Sequence, residues 1–319
     1  MGIFFSILMF LLISNTEPDA AQTLKWGSNM APDHPCVLGM RKAAEIIEQK
    51  TNLKFQIYPA SQLGSTQEML EAMMAGTLDM EVENPSVLSQ FSPRLGALTA
   101  PFVVQDRPQL YRVLRSEVGQ ELIEEFAQKR GIRVIGFWSY GTRHLTNNIR
   151  PVHKVDDVKG LKIRVPNVPA SVEYWRAAGA SPTPMAFAEV YMALQTGVVD
   201  GQENPLPTTY FSKFYEVQKY LALTAHMIDV YFPIIRDKLW KSLSKQDQTT
   251  FLEAMEEGRK INDSLTEKQE TELLDKIKER GVVITQVDRA TFVSKAGISY
   301  KKFDAAWGAD LIKRIQAVK

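Results

Sequence analysis

The segment from Ser244 to Arg280 constrains the fold more than any other part of the chain. It opens on Ser244-Lys-Gln-Asp247, where a serine hydroxyl can cap a first helical turn, and Gly281 can close it. As one helix it would run roughly 54 Å at about 1.5 Å per residue, longer than a small domain is wide. The residues leave two readings open. Two helices could meet at a break near Gly258, or a single helix could lie along two lobes as a brace.

Upstream, strand and helix patterns alternate. Leu24 and Trp26 lie in a strand-like stretch. Val37, Met40, Ala43, Ala44 and Ile47 recur at helical spacing, and Leu53, Phe55 and Ile57 alternate with polar residues as a half-buried strand does. Ser65-Thr-Gln-Glu68 has the form of a capping box; its helix should stop at Gly76, before a strand over Leu78 to Glu83. A second cycle predicts a helix over Glu117 to Arg130 and strands over Ile132 to Trp138 and Leu161 to Val165. A helix over Met185 to Thr196, stopped by Gly197, and a strand-like run over Tyr220 to Arg236 follow. Val282 to Thr285 reads as a strand and Tyr300 to Val318 as an amphipathic helix. This alternation defines the α/β class.

One internal echo adds to the pattern. Ala75-Gly-Thr-Leu-Asp79 is followed by Glu83-Asn84-Pro85, and Thr196-Gly-Val-Val-Asp200 by Glu203-Asn204-Pro205. If the echo is structural, it puts one Glu-Asn pair at a strand's carboxyl end in each of two similar lobes, the edge where open α/β sheets bind ligands.

Composition and missing motifs exclude several classes. The formal net charge is +1, from 38 basic and 37 acidic residues, and no basic run is present, which argues against nucleic acid as a partner. There is no G-x-S-x-G elbow, no G-x-G-x-x-G after a strand and no phosphate loop. His34, His144, His153 and His226 are scattered without metal-ligand spacing. The single cysteine, Cys36, permits neither an intramolecular disulfide nor a thiolate cluster and reads as a small core residue. No cofactor, metal or catalytic machinery is expected, and so no enzyme. Ile3 to Ile13 is apolar apart from Ser6, too short for a bilayer, which takes about 20 residues. With the polar linker Asn15 to Asp19 and the small Ala20 and Ala21, it reads as an export signal over residues 1–21.

Several polar groups suit a carboxylate. In Lys159-Gly-Leu-Lys-Ile-Arg-Val-Pro166, Leu161, Ile163 and Val165 face one way and Lys162 and Arg164 the other. An arginine there can point into a cleft and grip a carboxylate through two parallel hydrogen bonds, or it can be a solvated surface residue. Arg143, in Gly141-Thr-Arg, is a second candidate, with a structural salt bridge as its alternative. Asn204 can donate an amide hydrogen bond or serve as a turn residue before proline. Phe187 can pack on a ligand face or belong to the core.

Five stretches together resemble the solute-binding subunits of TRAP (tripartite ATP-independent periplasmic) transporters, the DctP family. They are SPTPMAFAEVYMALQTGVVDGQENP (Ser181 to Pro205), KFYEVQKYLALT (Lys213 to Thr224), GTRHLTNN (Gly141 to Asn148), KGLKIRVP (Lys159 to Pro166) and YPASQLGSTQEMLEAMMAGTLDM (Tyr58 to Met80). Residues 141 to 224 are similar to the sialic-acid and sugar-acid binding members. The resemblance implies two lobes with a hinge and a long bracing helix, closure on a ligand, and delivery to small and large membrane subunits driven by a sodium gradient. It implies a periplasmic protein, expected to be a monomer. The lobes are expected as 22–140 with 230–269, and 141–229 with 270–319. The resemblance gives Arg164 the main carboxylate salt bridge, with Arg143, Asn204 and Phe187 beside it. Around Gly27-Ser-Asn-Met and Met80-Glu-Val-Glu the chain departs from the sialate binders. There Asn29, Asn84 and one of Glu81 or Glu83 are expected to read hydroxyls, Glu83 being chosen for its place at the strand's end. The expected ligand is a sugar acid, either a hexuronate such as glucuronate or galacturonate, or an aldonate. Sialic acid, a dicarboxylate or another organic acid are alternatives, as is a periplasmic sensory role.

Overall fold

The computed structural model describes residues 21–319, so the expected export signal lies outside the described residues except for Ala21. Ten strands are paired: β1 (Gln22–Gly27), β2 (Leu53–Tyr58), β3 (Met80–Glu83), β4 (Ile132–Val134), β5 (Trp138–Asn147), β6 (Lys162–Val165), β7 (Ser181–Pro184), β8 (Gly201–Pro205), β9 (Tyr220–Arg236) and β10 (Val283–Thr285). They follow the order β2-β1-β3-β9-β5-β8-β6-β7, with β4 and β10 also on β9. At one end β2, β1 and β3 are parallel; at the other, β7, β6 and β8 are parallel.

The two parallel groups are the cores of two lobes, and β9 belongs to both. Its stretch Phe232 to Ile235 pairs antiparallel with β3, and its stretch Tyr220 to Tyr231 with β5. The first lobe is covered on both faces, as parallel strands require. Leu24, Trp26, Met80 and Val82 pack with the helix Pro35–Lys50 and with Phe251, Ala254 and Met255. Phe232 and Ile234 pack with Met69, Leu110, Leu122 and Phe126 on the other side. Cys36 is buried in the first of these clusters, as a small core residue. The Ser65–Glu68 capping box forms, and Gly76 closes its helix at φ 87°, a left-handed conformation that glycine adopts without a Cβ clash. In the second lobe Ile163 and Val165 pack with Tyr174, Trp175 and Phe292.

Lys245–Glu279 is one uninterrupted helix of 35 residues, capped by the Ser244 hydroxyl on the Asp247 N–H. Gly258 does not break it. A Cβ at Gly258 would lie 2.7 Å from the Trp138 ring and 2.8 Å from the Gly39 carbonyl oxygen. The glycine is there because the helix crosses the helix Pro35–Lys50 and Trp138 at this point. The helix then continues into the second lobe, where Leu273 and Ile277 pack with Leu206 and Leu221. Between the lobes it is bonded to β5. Asn262 donates to the Ser139 carbonyl (2.8 Å), while Asp263 and Glu270 accept from the N–H groups of Ser139 (2.7 Å) and Thr142 (2.6 Å). These contacts flank a register shift of β5 near Gly141, whose φ is +106°.

The expected strand over Ile132 to Trp138 is instead two strands, β4 and the start of β5, separated by Ile135–Phe137. The C-terminal region differs more. The expected helix Tyr300 to Val318 is interrupted at Gly308 and resumes as Leu311–Ala317. Its residues do not stay with the second lobe, to which 270–319 was assigned. Trp307, Leu311 and Ile315 join the Leu110–Leu122–Phe126 cluster of the first lobe, and the Trp307 indole donates to the Pro93 carbonyl (2.9 Å). Apolar spacing reports that a helix face is buried, but not against which partner.

The crossing at Gly258 can be tested by overpacking. Gly258→Val should lower unfolding free energy by about 1–3 kcal/mol. Gly297→Ala, in the helix Arg289–Tyr300 with nothing within 4 Å of the added Cβ, should raise it by roughly 0.5–1 kcal/mol. Urea denaturation midpoints at constant m-value read both changes.

Candidate ligand-binding site

The carboxyl ends of β1, β3, β6 and β8 converge on one cleft between the lobes, with about 680 Å³ of empty space including its open mouth. The internal echo has a structural counterpart here. The Asp79 carboxylate accepts from the Lys25 N–H (2.8 Å), and the Asp200 carboxylate from the Lys162 N–H (2.7 Å), each beside its parallel strand pair. The first copy brings both Glu83 and Asn84 to the cleft, the second brings Asn204 and keeps Glu203 buried behind it. All seven residues singled out from the sequence, Asn29, Glu83, Asn84, Arg143, Arg164, Phe187 and Asn204, line this cleft.

The two arginines are held differently. Arg143 is buried and fully engaged. Its Nε and Nη2 donate to the Glu203 carboxylate at 2.5 and 3.0 Å, Nη2 also donates to the Glu203 carbonyl at 2.8 Å, and Nη1 stands 3.7 Å from Asp229. Burial alone would raise the Glu203 carboxyl, but Arg143 and a 3.0 Å hydrogen bond from His226 outweigh it and hold it at about 2. Burial lowers the pKa of His226 itself, and because the Glu203 carboxylate can only accept, the ring donates through Nε2. Sequence reasoning kept a structural salt bridge as the alternative for Arg143. The geometry supplies that bridge and still leaves the residue on the cleft wall.

Arg164 is 3% exposed, and its Nε and Nη2 donate only to the Met185 carbonyl, at 3.1 and 2.7 Å. Among the described residues no carboxylate pairs with it. Burial brings its pKa down to about 10, with Glu203 raising it and Arg143 lowering it. The Phe187 ring lies 5.9 Å from its guanidinium carbon, and that half-buried ring also packs edge-on to Phe214. A buried cation without a counterion is costly and is tolerated where an anion will arrive.

Asn204 is oriented by its neighbours. Its Oδ1 accepts from the Tyr140 hydroxyl (3.1 Å) and its Nδ2 donates to Gln202 (2.6 Å), which leaves one amide hydrogen free. Across the cleft, Glu83 accepts from the Asn84 N–H (2.8 Å) and the Thr66 hydroxyl (2.9 Å). Burial raises its carboxyl to about 7 against the Asn84 N–H, the Thr66 hydroxyl and Arg143, which lower it. Asn29 donates to Thr66 (3.0 Å), and its buried Oδ1 has no donor. The Asn84 Oδ1 is taken by the Val87 N–H. Glu81 is fully buried and lies outside the cleft, so it is Glu83 that meets it. Sequence reasoning missed Thr66, Tyr140 and the Met185 carbonyl. It also treated Glu203 as the equivalent of Glu83; the fold pairs Glu203 with Arg143 and His226 outside the cleft lining, whereas Glu83 stands in it.

These features define a two-lobed binding protein whose cleft offers a cationic wall and an acceptor-rich wall. The chain belongs to the bacterial extracellular solute-binding proteins, family 7 (DctP), whose profile matches residues 26–306. It is 36% identical over 315 residues to the sialic acid-binding periplasmic protein SiaP of Vibrio cholerae, covering 98% of both chains. A TRAP periplasmic solute-binding protein from Polaromonas bound to D-erythronate superposes with a TM-score of 0.89 at 32% identity, covering 93% of this chain and 99% of that one. Another, from Roseobacter denitrificans with bound β-D-glucuronate, gives a TM-score of 0.89 at 30% identity, covering 93% and 100%. Like these proteins, the chain is a TRAP solute-binding protein, of a family that transports rather than converts its ligands.

The contrast between the arginines predicts opposite effects on the ligand-free protein. Glu203→Gln strands a buried guanidinium and should cost about 3–5 kcal/mol. Arg164→Met removes an unpaired cation and should leave stability unchanged or raise it by about 1 kcal/mol. Urea unfolding without added ligand distinguishes the two.

Proposed function

We propose that this chain captures a sugar acid, a hexuronate or an aldonate, in the periplasm and passes it unchanged to the small and large membrane subunits of a TRAP transporter. The observation that carries this reading is Arg164, buried on the cleft wall with only a backbone carbonyl for company. A ligand carboxylate supplies the missing counterion in a two-pronged pair. Arg143 and the free amide hydrogen of Asn204 complete its shell, and Phe187 covers a face of the ligand. Asn29, Glu83 and Asn84 take the hydroxyls from the opposite wall. On this reading the protein acts as a monomer. The lobes close about β9 and the long helix.

Sialate is the second reading, favoured by the relative from Vibrio cholerae. A thermal-shift screen over hexuronates, aldonates, sialate, succinate and an uncharged hexose at one concentration separates the readings, since a ligand stabilises the folded state by an amount that grows with the logarithm of its concentration over its Kd. A hexuronate or aldonate should give the largest shift. In calorimetry, Arg164→Met should weaken that ligand about 10²-fold or more. Unchanged affinity, or a larger shift from an uncharged sugar, would overturn the assignment.

A further inference from the structure

The charges of the cleft are asymmetric in a way that bears on the far end of the ligand. The second-lobe wall presents positive charge and a donor: Arg164, the Arg143 guanidinium held behind it by Glu203, and the free amide hydrogen of Asn204. The first-lobe wall presents acceptors. Both oxygens of Glu83 are fixed by a donor of their own, the Asn84 N–H on one and the Thr66 hydroxyl on the other, so the carboxylate cannot swing away. Glu83 is 2% exposed, and among the described residues no cation pairs with it. Beside it the Asn29 Oδ1 is buried without a donor. Each of these oxygens can still accept a hydrogen bond from a ligand hydroxyl. None can accept one from a second carboxylate, which would bring a like charge against Glu83 in a site shielded from water.

Building on the sugar-acid reading above, we propose that Glu83 is a specificity-determining residue that restricts the cleft to ligands with one carboxylate and a hydroxyl-bearing far end, rejecting dicarboxylates of the same carbon skeleton. Discrimination then comes from a repulsive element as much as from the attractive one at Arg164. Uronic and aldaric acids supply the comparison, and the change of ratio on substituting Glu83 isolates the charge. They share the carbon chain; the uronate's far carbon is a hemiacetal closed by a chain hydroxyl, whereas the aldarate is an open chain ending in a second carboxylate.

The test is calorimetry at pH 8, where Glu83 is ionised, with D-glucuronate against D-glucarate and D-galacturonate against galactarate. The wild-type chain should bind the preferred uronate at least about 10²-fold more tightly than its aldarate. Glu83→Gln keeps the size and the acceptor oxygen but removes the charge. It should shrink that ratio about 10-fold or more, mainly by improving aldarate binding. Glu83→Ala serves as the second variant and should shrink the ratio likewise while also weakening the uronate. Wild-type binding of an aldarate within three-fold (~0.6 kcal/mol) of its uronate would overturn the proposal, as would an unchanged ratio in both variants. Failure of the sugar-acid reading has a different signature: the wild-type chain takes none of the four acids, and this proposal falls with it.

Discussion

Where β5 shifts register at Gly141, its backbone is bonded to the long helix as well as to its strand neighbours. The side chains of Asn262, Asp263 and Glu270 take the Ser139 carbonyl and the N–H groups of Ser139 and Thr142. Buried hydrogen bonds to charged groups contribute about 1.5–3 kcal/mol each, and leaving such backbone groups unpaired would cost a comparable amount. The rest of the molecule hangs on this junction. β5 and β9 run through both lobes, and the helix that clasps β5 also packs in the core of each. β5 can therefore carry Arg143 to the cleft in fixed register against Glu203 of β8 while the lobes lie to either side.

The cleft divides its charges between structure and binding. Arg143, Glu203 and His226 form a closed set in which each polar group satisfies another, at the cost of desolvating two charges. Arg164 and Glu83 have no such partner and face each other's walls across the same space. Their persistence at full burial is the physical mark of a site whose last partner is the ligand, and it separates the two arginines more sharply than their position in the sequence does.

Much of the local structure was legible because it is governed by short-range rules. The capping box at Ser65, the left-handed stop at Gly76, the spacing of Val37 to Ile47 and the length of Tyr220 to Arg236 each reflect interactions within a few residues. The cleft residues were legible through motif resemblance and through the echo of Glu-Asn-Pro at two strand ends. The break at Gly308, the return of Trp307, Leu311 and Ile315 to the first lobe and the role of Gly258 were not legible in this way. A helical period marks a buried face but carries no address, and a glycine that permits a close crossing looks in sequence like one that ends a helix.

The amino-acid sequence by itself determined the α/β class, the repeated strand-end motif and the set of polar residues at the cleft, because periodicity, caps and strand ends are local properties of the chain. Only the tertiary structure decided what each charged group does there. Glu83 and Glu203 open the same Glu-Asn-Pro triplet in the two repeats, yet Arg143 and His226 hold Glu203 at about 2 while burial raises Glu83 to about 7. That difference lies in which groups long-range folding brings within hydrogen-bonding distance, and no local pattern encodes it.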